Sequence, residues 1–164
     1  MNKIEKIDLE FINDNYFRNE LKKYLKHIFN LKLNIRGILL FGSLARGEAK
    51  NNEKHVSDID LIIICDNLPK DYKKRREKIR ELTRNVSSGI QAFWWTSKEL
   101  EGNVKSKHYL ILDAFDEGKI LYDPEGFLND LRDKLFRELK EKNVIKTDLY
   151  WRWPVKKFGD RIEY

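Results

Sequence analysis

Two short runs of strand-forming residues constrain the fold of this chain more than any other feature. The first run, at 35–41, is Ile-Arg-Gly-Ile-Leu-Leu-Phe, and the second, at 58–65, is Asp-Ile-Asp-Leu-Ile-Ile-Ile-Cys. Aliphatic and β-branched residues dominate both runs, and polar or glycine residues bound them. The two runs therefore predict two buried strands of one sheet.

The segments around these runs show the periodicity of helices and of further strands. Helices are predicted at 16–30, from Pro69 to about Val86, in a short segment capped by Ser97, from about Lys107 to Gly118, and after Pro124; strands are predicted at 89–96 and 119–122. Strands that alternate with helices indicate an α/β (α+β) fold, in which helices flank a small mixed β-sheet.

The length and hydrophobicity of the chain set its expected organisation. Its 164 residues, 41% of them hydrophobic, suffice for one domain with its own core. The apolar runs are too short to cross a bilayer, and Met1 precedes charged residues rather than an apolar signal core, so a cytoplasmic protein without a membrane partner is expected. We expect a domain at 1–145 and an aromatic tail at 146–164. The tail should pack on the domain or on a second copy of the chain, because aromatic side chains are poorly suited to water. Its aromatic residues are Tyr150, Trp151, Trp153, Phe158 and Tyr164.

Basic residues are concentrated in one segment. The chain carries a net charge of +6, and eight lysines and arginines stand against three acidic residues between Lys70 and Arg84. Such a charge run is typical of a solvated helix face, with a surface that faces a polyanion as the alternative.

Isolated cysteine, histidine and tryptophan residues give weaker signals. Cys65 is the single cysteine and ends an apolar run, which predicts a buried and inert thiol. The histidines at 27, 55 and 108 lack the spacing of metal ligands. Trp94 and Trp95 alternate across a predicted strand, and both are expected to contribute to packing.

The junction after the first predicted strand has features of a phosphate site. Gly42 lets the backbone approach a ligand closely, and Ser43 adds a hydroxyl donor. A helix that begins here would present free N–H groups to an anion. A plain turn is the alternative interpretation.

Asp58 and Asp60 lie at the start of the second predicted strand. Side chains two residues apart in a strand project to the same face, so the two carboxylates repel each other. Mg²⁺ commonly binds one or two carboxylates together with substrate phosphates, which makes it the expected cation. Two solvated aspartates at a strand entrance are the alternative.

Together, residues 42–47 (Gly-Ser-Leu-Ala-Arg-Gly) and 57–61 (Ser-Asp-Ile-Asp-Leu) resemble the signature of the minimal nucleotidyltransferases of the DNA polymerase β superfamily. A weaker likeness continues through 96–100 and 117–123, so the resemblance covers about 35–123. It implies the polymerase β-like fold, a triphosphate (ATP in the first place) at Gly42 and Ser43, and Mg²⁺ or Mn²⁺ at Asp58 and Asp60. Arg46 would contact a phosphate or the base, unless it pairs with a local acid.

The chain departs from this family at Gln91. The family carries a third carboxylate at this position, and no Asp or Glu occurs from Val86 to Ser97. An amide brings no negative charge and cannot act as a base, which puts turnover in doubt. Asp66, Asp113 and Asp116 remain as other sources of a carboxylate.

Three functions follow from these features. The first is transfer of a nucleoside monophosphate to a hydroxyl on a protein, an RNA end or a small molecule, with Asp58, Asp60 and Gln91 at the catalytic positions. The second is a nucleotide- and partner-binding protein of the same fold with weakened or lost chemistry, because small members of the family resemble antitoxins that act on a helical partner protein. The third is a basic nucleic-acid binder that uses 70–84 and the tail. A homodimer is compatible with each of them.

Overall fold

The computed structural model describes residues 3–86 and 88–155. After a short 3₁₀ helix at Lys3–Lys6, the helices are α1 (Asn15–Asn30), α2 (Gly42–Arg46), α3 (Tyr72–Thr83), α4 (Ser97–Lys105), α5 (Tyr109–Glu117) and α6 (Phe127–Glu141). The strands are β1 (Ile35–Phe41), β2 (Asn51–Asn52), β3 (His55–Val56), β4 (Ile59–Cys65), β5 (Ile90–Trp95), β6 (Lys119–Tyr122), β7 (Ile145–Lys146) and β8 (Trp151–Arg152). No helix in this part of the chain is long and apolar enough to span a bilayer.

A four-stranded mixed sheet forms the centre of the molecule. Its strand order is β5-β4-β1-β6, with β1 antiparallel to both β4 and β6 and with β4 parallel to β5. The two predicted strands at 35–41 and 58–65 are thus central neighbours, while β5 and β6 form the edges. The predicted α/β class and the mixed sheet flanked by helices are confirmed.

Each face of the sheet supports a separate core. On one face, α1 packs Phe17 and Leu21 against alternate strand residues such as Leu40 and Leu61. On the other face, α4, α5 and α6 cover the remaining alternate residues, among them Ile62. Burial on both faces explains why the central strands are continuously apolar rather than alternating. Each fully buried aliphatic side chain contributes about 1.5–3 kcal/mol to this packing.

Capping residues move two helix starts from their predicted positions. The charged helix begins at Tyr72 rather than Pro69, because the Asp71 carboxylate accepts a hydrogen bond from Lys74 N at 2.8 Å. That helix ends at Thr83 rather than Val86. Thr96, not Ser97, caps α4 and forms a reciprocal capping box with Glu99.

The basic segment is not a uniformly solvated helix face. Arg75 is only 7% exposed and donates hydrogen bonds to the carbonyl oxygen of Pro69 at 2.9 Å and to Glu99 at 2.8 Å. Its guanidinium is thereby neutralised inside the fold. Trp94 and Trp95 pack on opposite faces of the sheet as predicted, and the Cys65 thiol is buried.

The described part of the predicted tail folds back on the domain. β7 and β8 form a small hairpin, in which the Trp151 ring lies 6.3 Å from the Phe136 ring. The Trp151 indole N–H donates to Asp113 Oδ1 at 2.9 Å, and Trp153 packs on the same core. Phe158 and Tyr164 lie outside the described residues. The division of the chain after residue 145 stays a prediction.

Candidate active site

The end of β1 and the start of β4 meet at Gly42 and Asp60. Phe41 is the register partner of Asp60 in the antiparallel β1–β4 pair, which places Gly42 directly beside the carboxylate. Gly42 has a φ of +72°, and a Cβ built on it would lie 2.3 Å from Asp60 Oδ2. Glycine is therefore required here both by its backbone conformation and by the space that Asp60 occupies.

Helix α2 starts at this contact. Its N-cap position is held by the apolar residue Phe41, whose side chain caps none of the first-turn amides. Ser43 follows Gly42 in that first turn and is half-buried, while its carbonyl oxygen accepts a hydrogen bond from Glu48 N at 2.8 Å. Amides without side-chain caps at a helix start suit a phosphate oxygen.

The two aspartates form a carboxylate pair on one side of this contact. Asp58 is exposed just before β4, and Asp60 is the half-buried second residue of the strand. Burial raises the pKa of Asp60, the negative charge of Asp58 raises it further, and the Arg46 guanidinium lowers it in part. A cation between the carboxylates would relieve this unfavourable charge, so their oxygen donors fit Mg²⁺ or Mn²⁺.

Arg46, the last residue of α2, forms ion pairs with two acidic residues. Its guanidinium lies 2.7 Å from Glu48 Oε2 and 3.1 Å from Glu117 Oε2. The local ion pair that the sequence left open is therefore formed, and the same guanidinium still acts on Asp60 through its charge.

Glu117 and Lys146 were not found from the sequence. Lys146 of β7 pairs with both Glu117 and Asp116, and its distance to Asp116 Oδ2 is 2.5 Å. Glu117 therefore connects the tail hairpin to Arg46 beside the aspartates. These contacts join residues far apart in the chain, and no local pattern signals them.

Gln91 stands next to Asp60 in the sheet. The parallel register of β4 and β5 makes the two residues Cα partners, and the Gln91 side chain is exposed. The strand register thus places the amide at the position where the sequence resemblance expects a third carboxylate.

The three alternative carboxylates do not join the aspartate pair. Asp66 lies beyond the far end of β4, where it accepts hydrogen bonds from Ser97 N at 2.8 Å and Ser97 Oγ at 2.9 Å. Asp113 accepts from Trp151, and Asp116 pairs with Lys146. Within 3–86 and 88–155, no group of three His, Cys, Asp or Glu residues is arranged to hold a metal ion.

A small cavity of about 200 Å³ adjoins Gly42, between the end of β1, α2 and α5. Its lining residues are Phe41, Gly42, Arg46, Tyr109, Leu110, Asp113 and Glu117. The cavity places an apolar and aromatic surface next to the helix start, within reach of the Arg46 ion-pair network.

Solved structures similar to this chain include two toxin–antitoxin complexes. One is a crystal structure of a toxin–antitoxin with AMP-PNP, with a TM-score of 0.45 and 20% identity over 76% of this chain and 91% of the other. The second is the toxin–antitoxin MntA-HepT, with a TM-score of 0.46 and 15% identity over 76% of this chain and 87% of the other.

Sequence comparison gives closer relationships. A curated protein of Methanocaldococcus jannaschii, named "Putative protein adenylyltransferase MJ1305", is 30% identical over 122 residues, which are 72% of this chain and 79% of that protein. The family model "Polymerase beta, Nucleotidyltransferase" matches residues 19–125, which include β1, α2, β4 and β5. The chain therefore belongs to the polymerase β nucleotidyltransferase family and is an enzyme of the transferase class.

Proposed function

We propose that the protein transfers the adenylyl group of ATP to a hydroxyl group of an acceptor protein, with a divalent cation at Asp58 and Asp60. The observation that carries this proposal is the contact between Gly42 and the Asp60 carboxylate, because it brings a phosphate-binding helix start and a metal-binding carboxylate pair together. The choice of an adenylyl group and a protein acceptor is supported by the 30% identical relative named as a protein adenylyltransferase.

The residues of this site have separate tasks. Gly42 lets the triphosphate approach the backbone, and the Ser43 hydroxyl and the first amides of α2 donate hydrogen bonds to phosphate oxygens. Asp58 and Asp60 hold Mg²⁺, which supplies positive charge to the phosphate oxygens when it is bound. Arg46 adds a second positive charge at the edge of the site.

The reaction exchanges a phosphoanhydride bond of ATP for a phosphate ester bond to the acceptor. The acceptor hydroxyl oxygen forms a bond to the α-phosphorus, the bond from that phosphorus to the bridging oxygen of the β-phosphate breaks, and pyrophosphate leaves. The amide of Gln91 cannot take the hydroxyl proton as a carboxylate would, so the proton passes to water. The site therefore positions the reactants better than it activates the acceptor.

A second candidate is a nucleotide- and partner-binding protein with slow chemistry. The observation that favours it is the register of Gln91 beside Asp60, together with the lack of a third acid at this site in the described chain. Binding of the triphosphate depends on Asp58 and Asp60, whereas activation of the acceptor hydroxyl also needs the negative charge of a third carboxylate, which Gln91 lacks. A helical protein would be the partner in this case.

Transfer of α-phosphate label from ATP tests the proposal. Acceptors should include hydroxyl-bearing peptides and folded helical proteins, RNA with a free 3′ end and a polyhydroxylated small molecule, each with Mg²⁺ and with Mn²⁺. We expect label on peptide or protein hydroxyls and none with Asp58→Asn/Asp60→Asn. Label on RNA or the small molecule alone would refute the acceptor class. Metal-dependent ATP binding without any transfer would favour the second candidate.

A further inference from the structure

A groove of about 530 Å³ lies along the outer edge of β5, between α3 and α4. We call it the edge groove. Ile79 of α3 and Ala92 of β5 give it apolar walls, Trp95 lies on its α4 side, and Tyr72 stands in its lining with 73% of its surface exposed. An exposed aromatic residue at an apolar groove is typical of a surface that binds another molecule.

The backbone of β5 faces this groove. β5 pairs with β4 on one side and is the edge of the sheet. The Gly89 carbonyl oxygen accepts from Ile59 N at 2.8 Å on the β4 side, whereas the Trp94 carbonyl oxygen accepts from the Arg75 side chain on the opposite side at 3.4 Å. Because backbone groups of successive strand residues alternate in direction, Ala92, two residues before Trp94, presents its N–H and C=O to the groove. Such an edge is a template for another strand.

The charge of the edge groove favours an acidic occupant. Arg76 and Arg80 line it and are exposed, and no carboxylate in the described ranges lies within ion-pairing distance of either guanidinium. Arg75, in contrast, is paired with Glu99 at 2.8 Å. The two unpaired guanidinium groups offer charge-assisted hydrogen bonds to incoming carboxylates.

The edge groove and the candidate active site are neighbours along β5. Ala92, in its lining, directly follows Gln91, whose register partner is Asp60. A strand paired with the outer edge of β5 would lie two strand spacings, about 10 Å, from β4, so a long side chain such as that of tyrosine is needed to extend across Gln91 toward the aspartates.

We infer that the edge groove binds an extended, acidic segment of the acceptor protein, which adds a strand to β5 and directs a long hydroxyl-bearing side chain across Gln91 toward Asp60. This inference rests on the proposed function for the identity of the segment as an acceptor. A strand edge between apolar walls suits a peptide backbone and alternating side chains, whereas a nucleic acid would require a broader positive surface for its phosphates.

Fluorescence anisotropy with short labelled peptide libraries tests the inference without any nucleotide present. The libraries share one tyrosine and alternating valine or threonine, and differ in carrying glutamate, lysine or neutral polar residues at the other positions. A labelled single-stranded RNA is the competing probe. Two further acidic libraries carry N-methyl groups on alternate backbone nitrogens, one library on the odd positions and the other on the even positions. In one of the two, the N–H groups that would donate hydrogen bonds to β5 are blocked.

We expect the acidic library to bind, and the Arg76→Glu/Arg80→Glu variant to weaken it about tenfold or more, since two attractive contacts become repulsive. Lys22→Glu/Lys23→Glu, which makes the same charge change on the exposed side of α1, should leave binding within about twofold of the wild type. One of the two N-methylated libraries should lose binding. The comparison of N-methylated with unmethylated peptides uses the wild-type protein throughout, so it does not depend on how a variant folds.

Several results would overturn the inference. One such result is equal binding of the acidic and basic libraries. Another is an equal loss of binding in both charge-reversal variants, and a third is no effect of N-methylation in either library. Binding of the RNA in place of the acidic peptides would assign the surface to nucleic acid. ATP affinity is measured separately by calorimetry: peptide binding without ATP binding would refute the proposed function alone, and ATP binding without peptide binding would refute the edge-groove inference alone.

Discussion

Gly42 and Asp60 are in such close contact that a single methyl group on the glycine would lie 2.3 Å from the Asp60 carboxylate oxygen. We expect Gly42→Ala to weaken binding of a nonhydrolysable ATP analogue about tenfold or more, because the new Cβ must displace Asp60 and because a positive φ costs an alanine about 1 kcal/mol. Calorimetry in the presence of Mn²⁺ measures this affinity.

Gly47→Ala is the matched control for this change. Gly47 has nearly the same φ, +75°, but a Cβ there would have no neighbour within 4 Å. The two variants share the backbone strain and differ in the contact with Asp60. If both lost nucleotide affinity equally, the loss would come from backbone strain, and the role given to the Gly42–Asp60 contact would be wrong.

We expect triphosphate binding to require a divalent cation. Asp58 and Asp60 repel the phosphates unless a cation screens them. Burial of Asp60 and the negative charge of Asp58 already raise the pKa of Asp60. Calorimetry with and without Mg²⁺ should show a difference of more than about tenfold, which Asp58→Asn/Asp60→Asn abolishes. Asp130→Asn/Asp133→Asn makes the same charge change on the exposed side of α6 and should retain the metal dependence. Equal affinity with and without metal would remove the assignment of the metal to this pair.

The four strands of the central sheet and the positions of the candidate site could be predicted from the sequence, because each depends on a local pattern, whereas the short strands β2, β3, β7 and β8 were not predicted. The run at 58–65 contains both the strand and the paired aspartates, and the position of Gln91 follows from the neighbouring run. Arg75 could not be placed in this way, since its burial depends on Trp94 and Glu99, which lie beyond the next loop. The Glu117–Lys146 pair depends likewise on a hairpin that only tertiary packing positions.

The packing of the tail predicts a difference between neighbouring aromatic residues. Trp151 contacts Phe136 and donates to Asp113, whereas Tyr150 is 59% exposed. We expect Trp151→Ala to lower the free energy of unfolding by about 2 kcal/mol, less than for a fully buried tryptophan, and Tyr150→Ala to change it by less than about 0.5 kcal/mol. Urea unfolding measures both. A change of less than about 0.5 kcal/mol for Trp151→Ala as well would show that the packing of this hairpin does not stabilise the domain.

The ion pair between Lys107 and Glu138 should make the free energy of unfolding depend on pH. The Lys107 ammonium is 3% exposed and donates to Glu138, a contact that lowers the pKa of the glutamate. Glu138→Gln leaves a buried ammonium without its counter-charge, which should cost about 2 kcal/mol near pH 7. A lowered folded-state pKa means that this stabilisation is complete above the ordinary pKa of glutamate and is lost as the pH falls through the lowered value.

Urea unfolding between about pH 7 and pH 3 tests this sign, because the ordinary pKa of glutamate, about 4.3, lies in that range. The difference in free energy of unfolding between the wild type and Glu138→Gln should be constant near pH 7 and should become smaller as the pH approaches 3. Glu141→Gln, an exposed change on the same helix, should behave like the wild type throughout. A difference that widened as the pH fell would contradict the assigned direction.

Under the proposed function, Gln91 is the residue expected to decide whether a bound triphosphate is also turned over. Binding needs positive charge beside the phosphates, which a cation held by Asp58 and Asp60 would supply, whereas attack also needs a group that activates the acceptor hydroxyl. Gln91→Asp places a carboxylate on the register partner of Asp60, at the position where the resemblance implies one. If the wild type is a weakened enzyme, the variant should raise the transfer rate about tenfold or more with little change in ATP affinity, as expected for an interaction made mainly in the transition state.

Gln91→Asn separates the effect of charge from the effect of side-chain length, because it shortens the side chain equally and stays neutral. Gln91→Asp should also be less stable without metal than with Mg²⁺, since a third carboxylate adds repulsion that only a cation relieves. Thermal unfolding with and without Mg²⁺ gives this second readout independently of any acceptor. An active wild type that the aspartate does not accelerate would draw its activating group from elsewhere. If neither form transfers adenylyl to any acceptor, a helical partner protein included, partner binding becomes the function that the site supports.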